Sequence, residues 1–266
     1  MTDDAVSYTL PCGPPSAGDL CAFAEVTIES VCSMLSRLNP LKAPGPDGIL
    51  PFLLKSFASV LAPSLTLIFN RSLHSGVVPR GFNCKNAYIA AVPKNNKGDL
   101  LALSNYRPIS LTAALSKVLE KLVQLQLEVL FESREPLDDL QFGFRRQRWA
   151  AHLLTKAVND WLLARDYGLT TAVVFIDLSK AFDRVRPQPL LLDLHAAGVC
   201  GSALAWFASY LSERCKRVVS SSGISSYLPV TRCIARECAL SVLVQLVCRP
   251  FTSSSCRACG NLVVGC

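Results

Sequence analysis

One apolar run, residues 172–176, does most to constrain what this chain can fold into, because it leads directly to the carboxylate of Asp177. The run is Ala-Val-Val-Phe-Ile, and unbroken apolar, β-branched-rich sequence predicts a strand buried on both faces. A charge at the end of a buried strand needs a partner. That partner is either a hard divalent cation such as magnesium or the first turn of a helix, with Asp177 or Ser179 as its cap.

The composition favours a folded chain with a sizeable core. Of the 266 residues, 50% are hydrophobic and 18% are charged, which excludes a disordered chain. The net charge of +7 permits a nucleic-acid partner without requiring one. The first residues include Asp3 and Asp4 in place of a basic segment and an apolar core, and prolines interrupt the longest apolar region, residues 50–69. We therefore expect an intracellular protein, nuclear or cytoplasmic, with no signal peptide or membrane span.

The twelve cysteines are unevenly placed, and six of them lie in residues 233–266. Disulfide-stabilised secreted proteins are usually shorter and carry a signal peptide, so we expect no disulfides. Cys256 and Cys259 have the spacing of half a zinc site, which Cys248 and Cys266 would complete. The lack of a nearby histidine weighs against zinc.

Capping residues, prolines and apolar periodicity predict alternating groups of helices and strands. Thr27 and Thr112 are predicted helix caps, Pro51 and Pro63 predicted helix starts, and Gly76 a helix end. Helices are predicted over residues 28–39, 51–61, 63–75, 112–132, 149–165, 187–198 and 201–212, and strands over 87–92, 107–111, 172–176, 217–220 and 227–231.

Five segments, in this order, resemble motifs of the reverse transcriptases of non-LTR retrotransposons, and the resemblance extends over roughly residues 26–232. The segments are Ala43-Pro-Gly-Pro-Asp-Gly48, Asn105-Tyr-Arg-Pro-Ile-Ser-Leu111, Gln141-Phe-Gly-Phe-Arg145, Ala172-Val-Val-Phe-Ile-Asp-Leu-Ser-Lys-Ala-Phe-Asp183 and Trp206-Phe-Ala-Ser-Tyr-Leu211. The resemblance implies an α+β fold, namely the fingers and an incomplete palm of a right-hand polymerase. It also implies an RNA template, a DNA primer and deoxynucleoside triphosphates as partners, with Mg²⁺ as cofactor.

The resemblance implies a domain plan as well. A loose lead-in over residues 1–24 precedes a fingers-like region with interleaved palm elements over residues 25–170. Residues 171–232 form part of the palm, and residues 233–266 are a tail that fits no regular pattern.

By the same resemblance, Asp177 is the first catalytic aspartate and a metal ligand, and the main-chain carbonyl of Leu178 is a second ligand. Phe182 takes the place of an aromatic residue beneath the sugar, where its ring would crowd a 2′-hydroxyl. Without the resemblance, core packing is the simpler interpretation of Phe182.

Cationic and aromatic residues in two other segments are candidates for contacts with nucleotide and template. Arg107 and Lys94 resemble the nucleotide-contacting cations of the fingers, and arginine suits bidentate phosphate binding. Gln141, Phe144 and Arg145 resemble a template-contacting motif. The simpler alternative for each cation is a solvated surface charge. We assign Asp47 a structural role in a rigid turn.

The paired catalytic aspartates of the family are missing from this sequence, since no aspartate follows Asp193. A two-metal site cannot form with one such ligand, so we expect no polymerisation by the isolated chain. One set of codons for residues 236–244, shifted by one base, encodes Gly-Ser-Ala-Leu-Ser-Pro-Phe-Leu, which resembles the family's template-positioning segment. We therefore hypothesise a frameshift near Thr231. The alternatives are a non-catalytic nucleic-acid-binding remnant and a pseudogene product without function.

Overall fold

The computed structural model describes residues 8–11, 13–14, 16–82, 85–94, 102, 105–134, 142, 148–175, 185–220 and 223–229. Within these ranges the α-helices are α1 (Ile28–Ser36), α2 (Pro51–Ser56), α3 (Ala58–Ser75), α4 (Ala114–Arg134), α5 (Ala150–Asp166), α6 (Pro187–Ala196) and α7 (Gly201–Leu211). The strands are β1 (Asn86–Pro93), β2 (Tyr106–Leu111), β3 (Cys215–Ser220), β4 (Gly223–Ile224) and β5 (Leu228–Pro229). This mixture of helices and one sheet confirms the α+β class.

Local signals set several helix ends as predicted. The Thr27 hydroxyl accepts a hydrogen bond from the Ser30 N–H at 3.2 Å and caps α1. Gly76 and Gly198 follow α3 and α6 with φ of 67° and 93°. These left-handed conformations cost glycine little and end a helix.

Two predicted helix starts are wrong. The break between α2 and α3 lies at Phe57, whose carbonyl accepts the first bonds of α3, and Pro63 lies inside α3. A continuous buried stripe that includes Ala62 and Phe69 holds α3 together across the proline. α4 begins at Ala114, and the Ala113 carbonyl accepts a hydrogen bond from the Lys117 N–H at 3.3 Å. The Thr112 hydroxyl does not cap the helix, because it is buried and bonds to none of the described residues.

The five strands form one sheet in the order β2-β1-β3-β4, and β5 also pairs with β3. β1 runs antiparallel to β2, with Val92 opposite Arg107, and parallel to β3, with Tyr88 opposite Arg217. The predicted strands over residues 87–92 and 107–111 correspond to β1 and β2, and those over 217–220 and 227–231 to β3 and β5; each of these two pairs is antiparallel. The sheet therefore joins two parts of the chain that lie far apart in sequence.

The main core lies among α1, α3, α4, α6 and α7. Its largest fully buried side chains are Trp206, Phe69, Phe207, Leu35, Leu73, Leu119, Leu127, Leu190, Leu191, Leu194 and Leu204. The Trp206 indole N–H donates to the hydroxyl of Ser72 at 3.1 Å, so its polar atom is satisfied inside the core. In the described part of the chain, no helix is long and apolar enough to cross a membrane.

The end of the predicted lead-in is attached to this core. The side-chain amide of Gln126 bonds to both backbone groups of Ala24, at 2.7 and 3.0 Å. Asn70 bonds to both backbone groups of Val26 in the same way, at 2.8 and 3.1 Å. Phe23 is buried edge-on against two core aromatic rings. Composition alone did not predict this attachment.

The expectation of no disulfides is wrong, since Cys21 and Cys200 are bonded, with their Cα atoms 4.3 Å apart. A backbone bridge brings them together, because Leu20 pairs with Val199 and accepts a hydrogen bond from the Cys200 N–H at 3.0 Å. The two cysteines are 179 residues apart, so their spacing carries no signal.

The predicted buried strand at residues 172–176 is wrong for its described part, residues 172–175. These residues belong to none of the strands, and Val174 and Phe175 are 71% and 88% exposed. A strand requires a neighbour to bond its backbone and cover its side chains. No described strand lies beside this segment.

Candidate nucleotide and template interface

The β1–β2 hairpin brings the two predicted nucleotide-binding cations together. Arg107 lies opposite Val92 in the ladder, and the Lys94 N–H continues the ladder by donating to the carbonyl of Asn105 at 2.7 Å. This register places Arg107 and Lys94 on one face as diagonal neighbours, whose Cα atoms are about 7–8 Å apart. Both side chains are exposed. The hairpin end can therefore present two cations to one triphosphate.

The base of this hairpin is clamped by Arg217 of β3. Its guanidinium lies 4.5 Å from the ring centroid of Tyr88 and 4.6 Å from that of Tyr227, and it donates to the Tyr88 hydroxyl. Cation–π contacts of a partly desolvated arginine contribute about 1–2 kcal/mol each. Arg217 thus ties β1 to β3 and to the segment before β5.

The hairpin projects beyond this clamp. β3 pairs with β1 as far as Ala90, whereas β2 pairs with β1 up to Pro93. Arg107 lies four residues along the ladder from the clamp at Tyr88, about 13 Å away. At this distance, a small rotation of the hairpin about its base would displace Arg107 and Lys94 by a larger amount than residues near Tyr88.

The loop at residues 43–48 fixes the other end of β2. The Asp47 carboxylate accepts a hydrogen bond from the Ile49 N–H at 3.2 Å, which forms an Asx turn and agrees with the structural role assigned to Asp47. A Cβ at Gly45 would lie 2.6 Å from the Cα of Ala113, so glycine permits this close approach. Partial burial raises the pKa of Asp47. The loop is a rigid spacer at the start of α4.

The remaining predicted site residues lie outside the described residues. These are Asp177, Leu178 and Phe182 of the catalytic motif, Gln141, Phe144 and Arg145 of the template motif, and the four cysteines proposed for zinc, Cys248, Cys256, Cys259 and Cys266. Beside the template motif, the Arg148 guanidinium lies 5.4 Å from the ring centroid of the buried Phe142.

The described residues do not include a complete two-metal centre. In the described ranges, no three His, Cys, Asp or Glu side chains are close enough together to hold a metal ion. The sequence offers the predicted pair of Asp177 and the Leu178 carbonyl, with no aspartate after Asp193. Two cations that clamp the reacting oxygens need several converging carboxylates.

Sequence reasoning missed a buried polar network between α4 and α7. The Tyr210 hydroxyl donates to Glu120 at 2.9 Å, and the Ser116 hydroxyl donates to the same carboxylate oxygen at 2.8 Å. The Arg214 guanidinium lies 4.6 Å from the Tyr210 ring centroid. Burial, and secondly the charge of Glu120, raise the pKa of Tyr210 well above 10.0. The sequence did contain one signal of this network: Glu120 is a charged residue at an apolar position of the amphipathic pattern of α4.

Comparison with known proteins decides the family. The sequence model described as "Reverse transcriptase (RNA-dependent DNA polymerase)" matches residues 92–234. The chain belongs to the reverse transcriptase family. The match includes β2, α4 and Arg217 of β3. Reverse transcriptases generally use a divalent metal.

Similar proteins come from mobile elements. The "RNA-directed DNA polymerase from mobile element jockey" of Drosophila funebris is 34% identical over 166 residues, 62% of this chain and 18% of that protein. Its Drosophila melanogaster counterpart is 32% identical over 169 residues, 64% and 18% of the two chains. The "Transposon TX1 uncharacterized 149 kDa protein" of Xenopus laevis is 28% identical over 229 residues, 85% and 17%. This reverse transcriptase segment thus spans less than a fifth of each relative.

Proposed function

We propose that this chain is the nucleotide- and template-binding part of an RNA-directed DNA polymerase of a non-LTR retrotransposon, and that the isolated chain does not polymerise. The observation that carries the proposal is the family match over residues 92–234 in a sequence that has no aspartate after Asp193. The relatives' names support the polymerase, and the missing carboxylates support the inactivity.

In this proposal Arg107 and Lys94 bind the triphosphate of a deoxynucleotide. Their shared face at the projecting end of the β1–β2 hairpin supports this role, because a triphosphate requires cations already in position. Arg217 is a positioning residue that holds the hairpin at the proper angle. Phe182 lies beneath the sugar and disfavours a 2′-hydroxyl.

The template contacts are proposed for Gln141, Phe144 and Arg145, with an RNA template and a DNA primer as partners. An arginine suits the backbone and an aromatic ring suits a base. Asp177 and the Leu178 carbonyl would hold Mg²⁺ in a complete polymerase, where the ion would stabilise charge on the reacting phosphate. Without the paired aspartates, Asp177 indicates descent from an active reverse transcriptase but not activity in this chain.

The proposed domain plan has a fingers-like region over residues 25–170, part of the palm over residues 171–232 and a tail without regular pattern over residues 233–266. The end of the family match at residue 234 supports a change near Thr231. The coding DNA tests the frameshift. A second reading frame that encodes paired aspartates is expected, and its absence would refute the frameshift.

Nucleotide binding tests the role of the hairpin without requiring catalysis. We expect Arg107→Ala to weaken binding of a fluorescent deoxynucleoside triphosphate about 10- to 100-fold, because a charge-assisted phosphate contact is lost. Arg217→Met should weaken it several-fold. Lys216→Ala is the matched control, since Lys216 is exposed on the opposite face of β3. Equal affinities in all variants would contradict the hairpin's role.

Labelled-nucleotide incorporation on a primed RNA template tests the second half of the proposal. We expect none from the isolated chain. Incorporation that Asp177→Ala abolishes would show a working catalytic centre and overturn the inactivity.

A non-catalytic nucleic-acid-binding remnant is the second candidate. The exposure of residues 172–175 favours it, because the palm side has no cover among the described residues. Salt-dependent binding of an RNA–DNA duplex without binding of deoxynucleoside triphosphate would favour the remnant over the first proposal.

A further inference from the structure

Trp149 is exposed in an ordered stack just after the template motif. Its side chain is 67% exposed, and its ring lies parallel to the His152 imidazole, with centroids 5.4 Å apart and an interplanar angle of 16°. In the described part of the chain, His152 alone stacks on the indole. One indole face is therefore covered and the rest is open to solvent.

A backbone hydrogen bond orients the His152 ring of the stack. The backbone N–H of Trp149 donates to Nδ1 of His152 at 3.4 Å, which orients the imidazole at the first turn of α5. The Trp149 side chain makes no cap hydrogen bond to α5. The helix start thus does not depend on the indole, and the imidazole that stacks on the indole is oriented by the backbone.

The stack is separate from the apolar side of α5. Leu154, Val158 and Leu162 recur at every fourth residue and line a shallow groove. His152 lies about 160° around the helix from Leu154. The exposure of Trp149 is consequently not part of the uncovered apolar stripe.

The sequence next to the stack is rich in basic residues. Residues 140–159 contain Arg145, Arg146, Arg148 and Lys156, and Lys156 is paired with the carboxylate of Asp160 at 2.8 Å. The Arg148 guanidinium, adjacent in sequence to the indole, lies over the Phe142 ring. An exposed aromatic ring beside cations is the combination that binds single-stranded nucleic acid, in which bases stack and phosphates pair with the cations.

We propose that the Trp149–His152 stack is a binding platform for an unpaired base of single-stranded nucleic acid. This inference rests on the proposed function, since it extends the template path from residues 141–145 to the start of α5. Stacking is indifferent to base identity, so the platform serves any template sequence.

Oligonucleotide binding by the full chain tests the platform. We expect Trp149→Ala to weaken binding of labelled single-stranded RNA and single-stranded DNA about tenfold each, because one stacked base is lost. Trp149→Phe should retain most of the affinity. The slope of affinity against salt should stay unchanged, since no phosphate contact is removed. Trp161→Ala is the matched control on another side of α5.

The outcomes separate this inference from the proposed function. Salt-dependent RNA binding that is equally strong in Trp149→Ala and Trp161→Ala would overturn the platform alone. No RNA binding by the unaltered chain would overturn the proposed template site and the platform together. A loss confined to duplex nucleic acid would also contradict the platform, because paired bases have no free face.

Discussion

The helical core and the side formed by α5 and residues 169–175 carry similar apolar sequences but differ in how far those residues are covered. Phe69 and Trp206 of the core are 0% and 1% exposed. Phe175 and Leu154 on the other side are 88% and 62% exposed. Periodicity and apolar runs indicate which residues suit burial, whereas burial itself requires a second element to pack against.

The two regions differ in where that second element comes from. The core helices α1, α3, α4, α6 and α7 cover one another within the described chain. In the proposed domain plan the segment that leads to Asp177 belongs to a palm, and the sequence has no aspartate after Asp193 to form the paired-aspartate hairpin. The described part of the chain therefore contains a covered helical core and an exposed segment at residues 172–175.

The same substitution in each region gives the largest contrast. We expect Phe69→Ala to lower the free energy of unfolding by about 3–5 kcal/mol, because it leaves a cavity in the core. Phe175→Ala should change it by less than about 0.5 kcal/mol. Urea denaturation measures both. Equal losses would mean that residues 172–175 are buried and would break the comparison.

The disulfide gives the next largest effect. We expect Cys21→Ser to lower the free energy of unfolding by about 2–4 kcal/mol, because the Cys21–Cys200 bond closes a long loop in the unfolded chain. Cys32→Ser is the control, since Cys32 is free and partly buried. Melting with and without reductant measures the effect. A reductant-insensitive melt would show that the bond does not form.

The buried network should give a smaller, pH-dependent effect. Tyr210→Phe removes the hydrogen bond to Glu120 and should cost about 1 kcal/mol at neutral pH. Because burial raises the pKa of Tyr210, the phenol stabilises the fold below its ordinary pKa of 10.0, and this contribution is lost as the pH rises through the folded-state value.

Stability measured across the alkaline range therefore checks the network. The unaltered chain should lose stability more steeply above about pH 10 than Tyr210→Phe does. Parallel curves would mean that the Tyr210 pKa is not raised in the folded chain.

The smallest stability effect is expected on the apolar side of α5. Leu154→Ser should change the free energy of unfolding by less than about 0.5 kcal/mol. It should also reduce self-association, because it interrupts an exposed apolar stripe. Light scattering against concentration measures this, and an unchanged tendency to associate would show that the stripe is already covered.

Local structure was predictable where one residue type decides it. The Thr27 cap and the glycine ends of α3 and α6 follow from short-range chemistry. Pro63 misled the prediction because packing of α3 outweighs a single lost backbone bond. The apolar pattern at residues 172–176 wrongly predicted a buried strand, because a strand also needs a pairing partner, which the local sequence does not specify.

Contacts between residues far apart in the chain could not be predicted from the sequence. The resemblance to reverse transcriptases assigned Arg107 and Lys94 to the nucleotide-contacting part of the fingers. The register of β1 and β2 places both on one face of the sheet. The clamp of Arg217 on Tyr88 joins residues 129 apart, and no spacing rule relates them. The same holds for Cys21 and Cys200.

Hydrogen–deuterium exchange tests the contrast between the covered core and the exposed segment at residues 172–175 most directly. Amides of α3, α4 and α7 should exchange slowly, through global unfolding, while those of residues 171–175 should exchange at nearly the rate of an unstructured peptide. Protection of residues 171–175 equal to that of α4 would contradict the account, because it would require a paired, covered strand there.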